Sequence, residues 1–104
     1  MYRVTTPTHT YTLPIQTSQC KEILVSYRQD NVLLEKHYQD GILPSGMTLD
    51  GKVVIVNLTQ AETKAFAKGA IDAQVRVLTT ADKAFASQHF TITNKDVINE
   101  EILE

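Results

Sequence analysis

Residues 52–78 read KVVIVNLTQAETKAFAKGAIDAQVRVL, and they decide the fold prediction. The stretch begins with an apolar run that is typical of a buried β-strand. It ends with an alternation of apolar and polar residues that indicates a second strand. Between them, Thr59 and Glu62 have the spacing of a helix capping box. A short helix here would either form a catalytic loop or carry the chain from one packed sheet to another. The residues favour the second alternative, with Phe66 closing one end of the core.

Alternation of apolar and polar residues continues on both sides of this stretch, with turn signals between the segments. Asp30-Asn31 and Asp50-Gly51 each separate two such segments and predict hairpins. The predicted strands cover residues 8–14, 21–29, 32–38, 47–49, 52–58, 70–78 and 85–93. About seven short strands, with one helix between the fifth and the sixth, predict an all-β fold: an antiparallel immunoglobulin-like β-sandwich.

Length and composition predict a single folded domain over residues 1–104. Apolar residues make up 42% of the chain and charged residues 21%, which is typical of a protein with one modest core. Residues 1–7 are Thr-rich and extended, and they form either a loose end or an N-terminal arm. Residues 95–104 mix acidic and apolar side chains, and they form either a frayed end or a C-terminal arm.

The charge pattern makes nucleic acid and membrane unexpected partners. The formal net charge is −2 and the basic residues are scattered, so no basic surface is predicted. No apolar run approaches the ~20 residues that span a bilayer, and the N-terminus lacks the apolar region of a signal peptide. The single cysteine forms no intrachain disulfide. These features predict a protein of the reducing cytoplasm.

Candidate catalytic and metal-binding residues are few. His9, His37 and His89 lie in three different predicted strands, far from the spacing of a zinc site. Cys20 is a lone cysteine without a helix N-terminus to lower its pKa. No glycine-rich phosphate loop is present. We therefore expect no enzyme activity, no metal and no cofactor. An unusually low pKa at Cys20 would be the sign of an enzyme.

Two groups of residues are candidates for a protein interface. Asp72, Gln74 and Arg76 form an outward-facing polar row, which is either a solvated sheet face or a subunit contact. Tyr2 and Arg3 lie at the tip of the N-terminal segment, which as an arm would add a strand to a neighbouring sheet edge.

Most of the chain resembles a known group of proteins. The segment LTQAETKAFAKGAIDAQVRVLTTADKAFAS at residues 58–87, TPTHTYTLPI at residues 6–15 and the pair Tyr27-x-Gln29 carry the resemblance. Within the long segment the matching residues are Leu58-Thr59-Gln60, Glu62-Thr63, Phe66, Gly69, Gln74, Arg76 and Ala86-Ser87. The chain is similar to small β-sandwich structural proteins from phage and prophage gene clusters of Gram-positive bacteria. It departs from their pattern in one turn, where Ala81-Asp82-Lys83 replaces Asp-Gly.

The resemblance implies a virion component of a tail, neck or baseplate, which acts by assembly and not by catalysis. Its partners would be other virion proteins or further copies of itself, in the bacterial cytoplasm during assembly and then in the virion. The alternative is a binding module that recognises a cell-surface glycan or a host protein through its end loops. The loop at residues 39–51 would be its site, with Ile42, Leu43 and Met47 exposed. The absence of Trp argues against a sugar platform.

Overall fold

The structure is a computed structural model that describes residues 1–87 and 89–103. Its strands are β1 (Thr8–Thr12), β2 (Cys20–Gln29), β3 (Val32–Gln39), β4 (Met47–Asp50), β5 (Val53–Asn57), β6 (Gly69–Thr79), β7 (Ala84–Ala86) and β8 (Phe90–Asn94). One α-helix, α1 (Gln60–Lys64), lies between β5 and β6, as the sequence predicts. A 3-10 turn at Thr17–Gln19 leads into β2.

The strands form two antiparallel sheets. The first has the order β1-β5-β4, and the second has the order β3-β2-β6-β7. The long strand β6 pairs with β2 along one edge and shares its other edge between two short strands. Residues 76–78 of β6 pair with β7, and residues 69–73 pair with β8. The predicted antiparallel sandwich of two sheets is therefore present, with eight strands in the described part of the chain.

The core lies between the sheets because alternate residues of each strand face inward. Val54 and Val56 of β5 are completely buried, and Ile23, Val25 and Ile71 face them from the second sheet with no exposed surface. Burial of an aliphatic side chain of this size contributes about 1.5–3 kcal/mol to folding. One cluster of buried apolar residues joins the two sheets.

Helix α1 carries the chain from the first sheet to the second. The Thr59 hydroxyl accepts from the Glu62 amide at 3.1 Å, and the Glu62 carboxylate accepts from the Thr59 amide at 2.9 Å. This is the predicted capping box. Leu58 before the helix and Phe66 after it are both buried, so they fill one end of the core. The crossing predicted from residues 52–78 is confirmed.

The predicted last strand, residues 85–93, is divided in the structure, and one of its residues, Gln88, lies outside the described part. At Ser87 the side chain interrupts the ladder, because its Oγ accepts from the Val75 amide at 2.9 Å in place of a backbone carbonyl. The Ser87 carbonyl in turn accepts from Gln74 Nε2 at 3.0 Å. The strand prediction was wrong here because a side chain outcompetes the backbone.

A second correction concerns the loop at residues 39–51. Ile42 and Leu43 are exposed as predicted, but Met47 is buried because it begins β4 and faces the core. No helix among residues 1–87 and 89–103 has the length and hydrophobicity needed to cross a bilayer.

Candidate interaction site

The two sheets separate along one side of the molecule and leave an apolar cleft. The cleft has a volume of about 680 Å³ and lies between β1 of the first sheet and the β7 and β8 edge of the second. Its walls are mainly apolar: Tyr11, Leu13, Val75, Val77, Phe85 and Phe90. Phe85 and Phe90 stand at its rim with 43% and 44% of their surfaces exposed. The cleft is therefore an apolar surface that the chain itself leaves partly open to water.

Strand β1 forms the other rim, and its outer edge carries no partner strand among the described residues. The Leu13 amide donates to Lys52 at 2.7 Å, and the Leu58 amide donates to Pro7 at 3.1 Å. These bonds fix the phase of the antiparallel ladder, so the odd-numbered residues of β1 bond to β5 and the even-numbered ones face away. The residues whose amide and carbonyl groups face away from β5 are Thr8, Thr10 and Thr12. We call these three residues the open edge.

The open edge is uncharged, unlike the edge strand β3 of the second sheet. No Asp, Glu, Lys or Arg occurs between Arg3 and Lys21. In β3, by contrast, Glu35 is exposed and Lys36 points into the protein. Exposed and inward-pointing charges on an edge strand discourage pairing with other molecules. A very short edge strand has the same effect, and β4 at the far edge of the first sheet is only 4 residues long. Strand β1 has no such protection, and neither has the uncharged β8, which lines the other side of the cleft.

Three polar side chains form a hydrogen-bonded network beside the cleft. The Tyr27 hydroxyl lies 3.0 Å from His9 Nδ1 and 2.9 Å from the Tyr11 hydroxyl. Burial lowers the pKa of His9, whereas burial raises the pKa of both Tyr11 and Tyr27. All three groups therefore stay uncharged at neutral pH, so they offer hydrogen bonds to a bound molecule but no ionised nucleophile.

The predicted polar row does not face the cleft. Asp72 and Arg76 are exposed on the outer face of β6, and Gln74 is half-buried because it bonds to Ser87. The inward residues of β6, Val75 and Val77, line the cleft on the other face of the strand. The row is thus a separate surface, and its part in a subunit contact stays a prediction.

The N-terminal segment lies against its own fold. The Arg3 guanidinium donates to the carbonyls of Phe66 at 2.6 Å and Lys64 at 3.0 Å, and it pairs with Asp96 and Glu100. We call these contacts the Arg3 clasp. It joins the end of α1 to both terminal segments, and the N-terminal arm at residues 1–7 stays a prediction.

Tyr2 and the C-terminal segment complete this arrangement. The backbone of Tyr2 forms a parallel bridge with Lys95, and its side chain is 51% exposed. Farther along, the backbone of Leu103 exchanges two hydrogen bonds with the Gln60 side chain. The described part of the predicted C-terminal arm therefore follows α1, while Glu104 lies outside the described residues.

The remaining candidates show ordinary structural chemistry. The Cys20 thiol is buried and donates to the Gln16 carbonyl at 3.6 Å, and burial raises its pKa. That shift is opposite to the one that activates a thiol nucleophile. His37 pairs with Glu22 at 2.8 Å on the outer face of the second sheet. Within residues 1–87 and 89–103, no three His, Cys, Asp or Glu side chains are grouped closely enough to hold a metal ion.

The open edge was missed from the sequence, although a signal for it exists. The uncharged run between Arg3 and Lys21 is unusual beside the charged β3, and Pro7 and Pro14 delimit its strand. Alternation alone showed which face of β1 is buried but not whether its edge is paired.

No protein-family model, no curated protein and no solved structure matches the chain.

Proposed function

We propose that this protein acts by assembly, as a virion structural protein of a phage or prophage, and that it binds its partner by strand addition at the open edge. The observation that carries the proposal is an uncharged, unpaired strand edge beside an apolar cleft. Strand addition supplies backbone hydrogen bonds along the edge, and alternate side chains of the added strand contact the apolar walls. This mode of binding requires no ionised group in the site.

The order of the strands supports an immunoglobulin-like connectivity. In that fold one sheet has the order A-B-E-D, and the other has C-F-G with an additional C′ strand in some members. The order β1-β5-β4 corresponds to B-E-D, and β3-β2-β6 followed by β7 and β8 corresponds to C′-C-F-G. In this correspondence no described strand takes the position of A beside β1. The open edge is therefore the place where an added strand would complete the first sheet.

The resemblance to phage and prophage structural proteins suggests where such assembly takes place. A tail, neck or baseplate brings many protein copies together, and a free strand edge on each copy suits repeated contacts. The exposed Phe85 and Phe90 support the same reading, because apolar rim residues of this size become buried when a partner covers them. We infer that the protein assembles in the bacterial cytoplasm and remains in the virion.

The proposal is tested by the mass of the protein in solution, measured by light scattering behind a sizing column over a roughly hundredfold concentration range. The test variant is Thr10→Lys, which adds a charge to the middle of the open edge. The matched control is Thr48→Lys, because Thr48 is also an exposed threonine on an edge strand of the same sheet. We expect an assembly larger than the 11.6 kDa of one chain, which Thr10→Lys weakens and Thr48→Lys leaves unchanged.

An assembly that forms equally well in wild type and Thr10→Lys would place the contact elsewhere. The outer row of Asp72, Gln74 and Arg76 would then be the next surface to mutate. Loss of assembly in both lysine variants would mean that added charge, and not its position on β1, is responsible.

A second candidate function rests on the loop between β3 and β4. Ile42 is 73% exposed and Leu43 is 49% exposed, which favours a binding module that contacts an apolar patch on a host protein. A glycan array and a binding assay with Ile42→Ser would distinguish it, since strand addition at β1 does not involve this loop.

A further inference from the structure

We infer that the partner at the open edge is a second copy of this chain, paired antiparallel through β1 about a two-fold axis at Thr10. This inference rests on the proposed function and names its partner. It follows from the phase of the ladder, from the residues that self-pairing brings together, and from the way two clefts would meet.

The phase of the ladder centres the pairing on Thr10. The outward-facing amides of β1 belong to Thr8, Thr10 and Thr12, as follows from the register with β5 and from the bonds of Pro7 and Leu13 at the two ends of the strand. The next outward position is Pro14, which has no amide hydrogen. The strand thus offers three outward-facing amides for hydrogen bonding, and Thr10 is the middle one. Antiparallel self-pairing then places Thr8 opposite the second copy's Thr12, and Thr10 opposite its own counterpart.

Self-pairing also places no like charges opposite each other. A two-fold axis brings together residues that lie at equal distances on either side of it, and the residue on the axis faces its own counterpart, so a charge there would oppose a like charge. In β1 the facing pairs are Thr with Thr and His9 with Tyr11. Burial lowers the pKa of His9, so the two His9 side chains add no repulsion at neutral pH. A strand edge without charge is therefore compatible with itself in a way that β3 is not.

Pairing through β1 would close both clefts at once. Each cleft opens beside its own β1, so the two openings meet across the two-fold axis and form one enclosed space. Phe85 and Phe90 at each rim would then contact their counterparts and lose much of their exposed surface. The added burial matters because a pair of five-residue strands covers less than the ~1,000 Å² typical of a stable interface.

The register is tested by disulfide crosslinking of single-cysteine variants in a Cys20→Ser background. Directly opposed, hydrogen-bonded residues have Cα atoms about 5.5 Å apart, which lies within the ~4.4–6.8 Å range of disulfides. With oxidised glutathione as the oxidant, we expect Thr10→Cys to form dimers at least about tenfold faster than Thr48→Cys on the other edge strand.

Two further variants read the register independently. Thr8→Cys and Thr12→Cys should crosslink when mixed but not when each is oxidised alone, because residue 8 faces residue 12 of the second copy. Their identical residues would lie about 14 Å apart along the strands. The protein concentration should reach about 1 mM, since so short a contact predicts a weak dimer.

The outcomes separate this inference from the proposed function. A Thr10 crosslink together with the mixed Thr8 and Thr12 crosslink supports the two-fold dimer. An assembly that Thr10→Lys weakens but that shows no Thr10 crosslink overturns the two-fold register and leaves strand addition standing. A monomer at every concentration also overturns the inference, because it requires the partner strand to come from another protein. Crosslinking of Thr8→Cys alone would indicate a shifted register and contradict the pairing at Thr10.

Discussion

Gly46 shows how a single residue can be fixed by its surroundings. It has a φ of +82°, and a Cβ added there would lie 2.3 Å from the Asn57 carbonyl oxygen. The same neighbour ties the residue into the first sheet, because the Asn57 amide donates to the Gly46 carbonyl at 2.7 Å. Neither the backbone nor its partner has room to move without breaking the contact between β4 and β5.

Gly46→Ala should therefore destabilise the protein more than Gly41→Ala does. Gly41 has a similar φ of +79°, but an added Cβ meets nothing within 4 Å. We expect Gly41→Ala to lower the free energy of unfolding by about 1 kcal/mol through backbone strain alone. Gly46→Ala adds a clash and should lose about 1 to 3 kcal/mol more. Urea denaturation of both variants measures the difference, and equal losses would contradict the role given to Asn57.

At the scale of elements, one ion pair joins β3 to α1. Lys36 points inward from β3, and its Nζ lies 2.5 Å from the Glu62 carboxylate in the capping box. Burial alone would raise the pKa of Glu62, but Lys36 and the Thr59 amide outweigh it and lower that pKa below its usual value of 4.5. The pair explains how an edge strand holds a buried lysine.

This pair predicts an acid-dependent stability. Because the pKa of Glu62 is lower in the folded chain, its contribution is fully present above about pH 4.5 and is lost as the pH falls through the folded pKa. Glu62→Gln should lower the free energy of unfolding at pH 7 by about 3 kcal/mol, since it leaves Lys36 buried without a counter-charge. It should also make the acid dependence of that free energy less steep.

The matched control for the ion pair is Glu35→Gln, an exposed glutamate on the same strand. It should leave the free energy of unfolding at pH 7 nearly unchanged, because the Glu35 side chain is exposed. Combining Glu62→Gln with Lys36→Met should recover much of the loss, because the uncompensated charge is then removed. Failure of the double variant to recover would show that the uncompensated charge of Lys36 is not the cause of the loss, since a glutamine at position 62 can still accept the capping bond from the Thr59 amide.

The elements also show which features the sequence could predict. The strands and α1 follow from alternation and from the Thr59 and Glu62 spacing, which are local signals. The division of the last strand depends on Ser87 binding Val75, a contact made only after folding. The open edge depends on which strands become neighbours, and alternation carries no such information. Several of the residues that carry the resemblance, such as Thr59 and Glu62, stabilise the fold. They are therefore evidence for the architecture more than for a binding partner.

At the scale of the whole molecule, the Arg3 clasp ties the two terminal segments to α1. Arg3→Ala should lower the free energy of unfolding by about 2 kcal/mol, because it removes charged hydrogen bonds to two carbonyls and two carboxylates. Arg28→Ala, at an exposed position of β2, is the control and should have little effect. Hydrogen exchange should become faster around residues 60–66 and 96–100. Reduced assembly with unchanged stability would instead support the prediction that Arg3 is an interface residue.

The parallel bridge between Tyr2 and Lys95 has a mechanical consequence. Tension applied to the two ends of the described chain would pull these segments past each other in opposite directions. The bonds from the Arg3 amide to Lys95 and from the Lys95 amide to Met1 would then bear the load together, in shear, instead of opening one after another. In an assembly that is stretched, this bridge and the Arg3 clasp would yield before the sheets do, and they would set the force at which the domain begins to unravel.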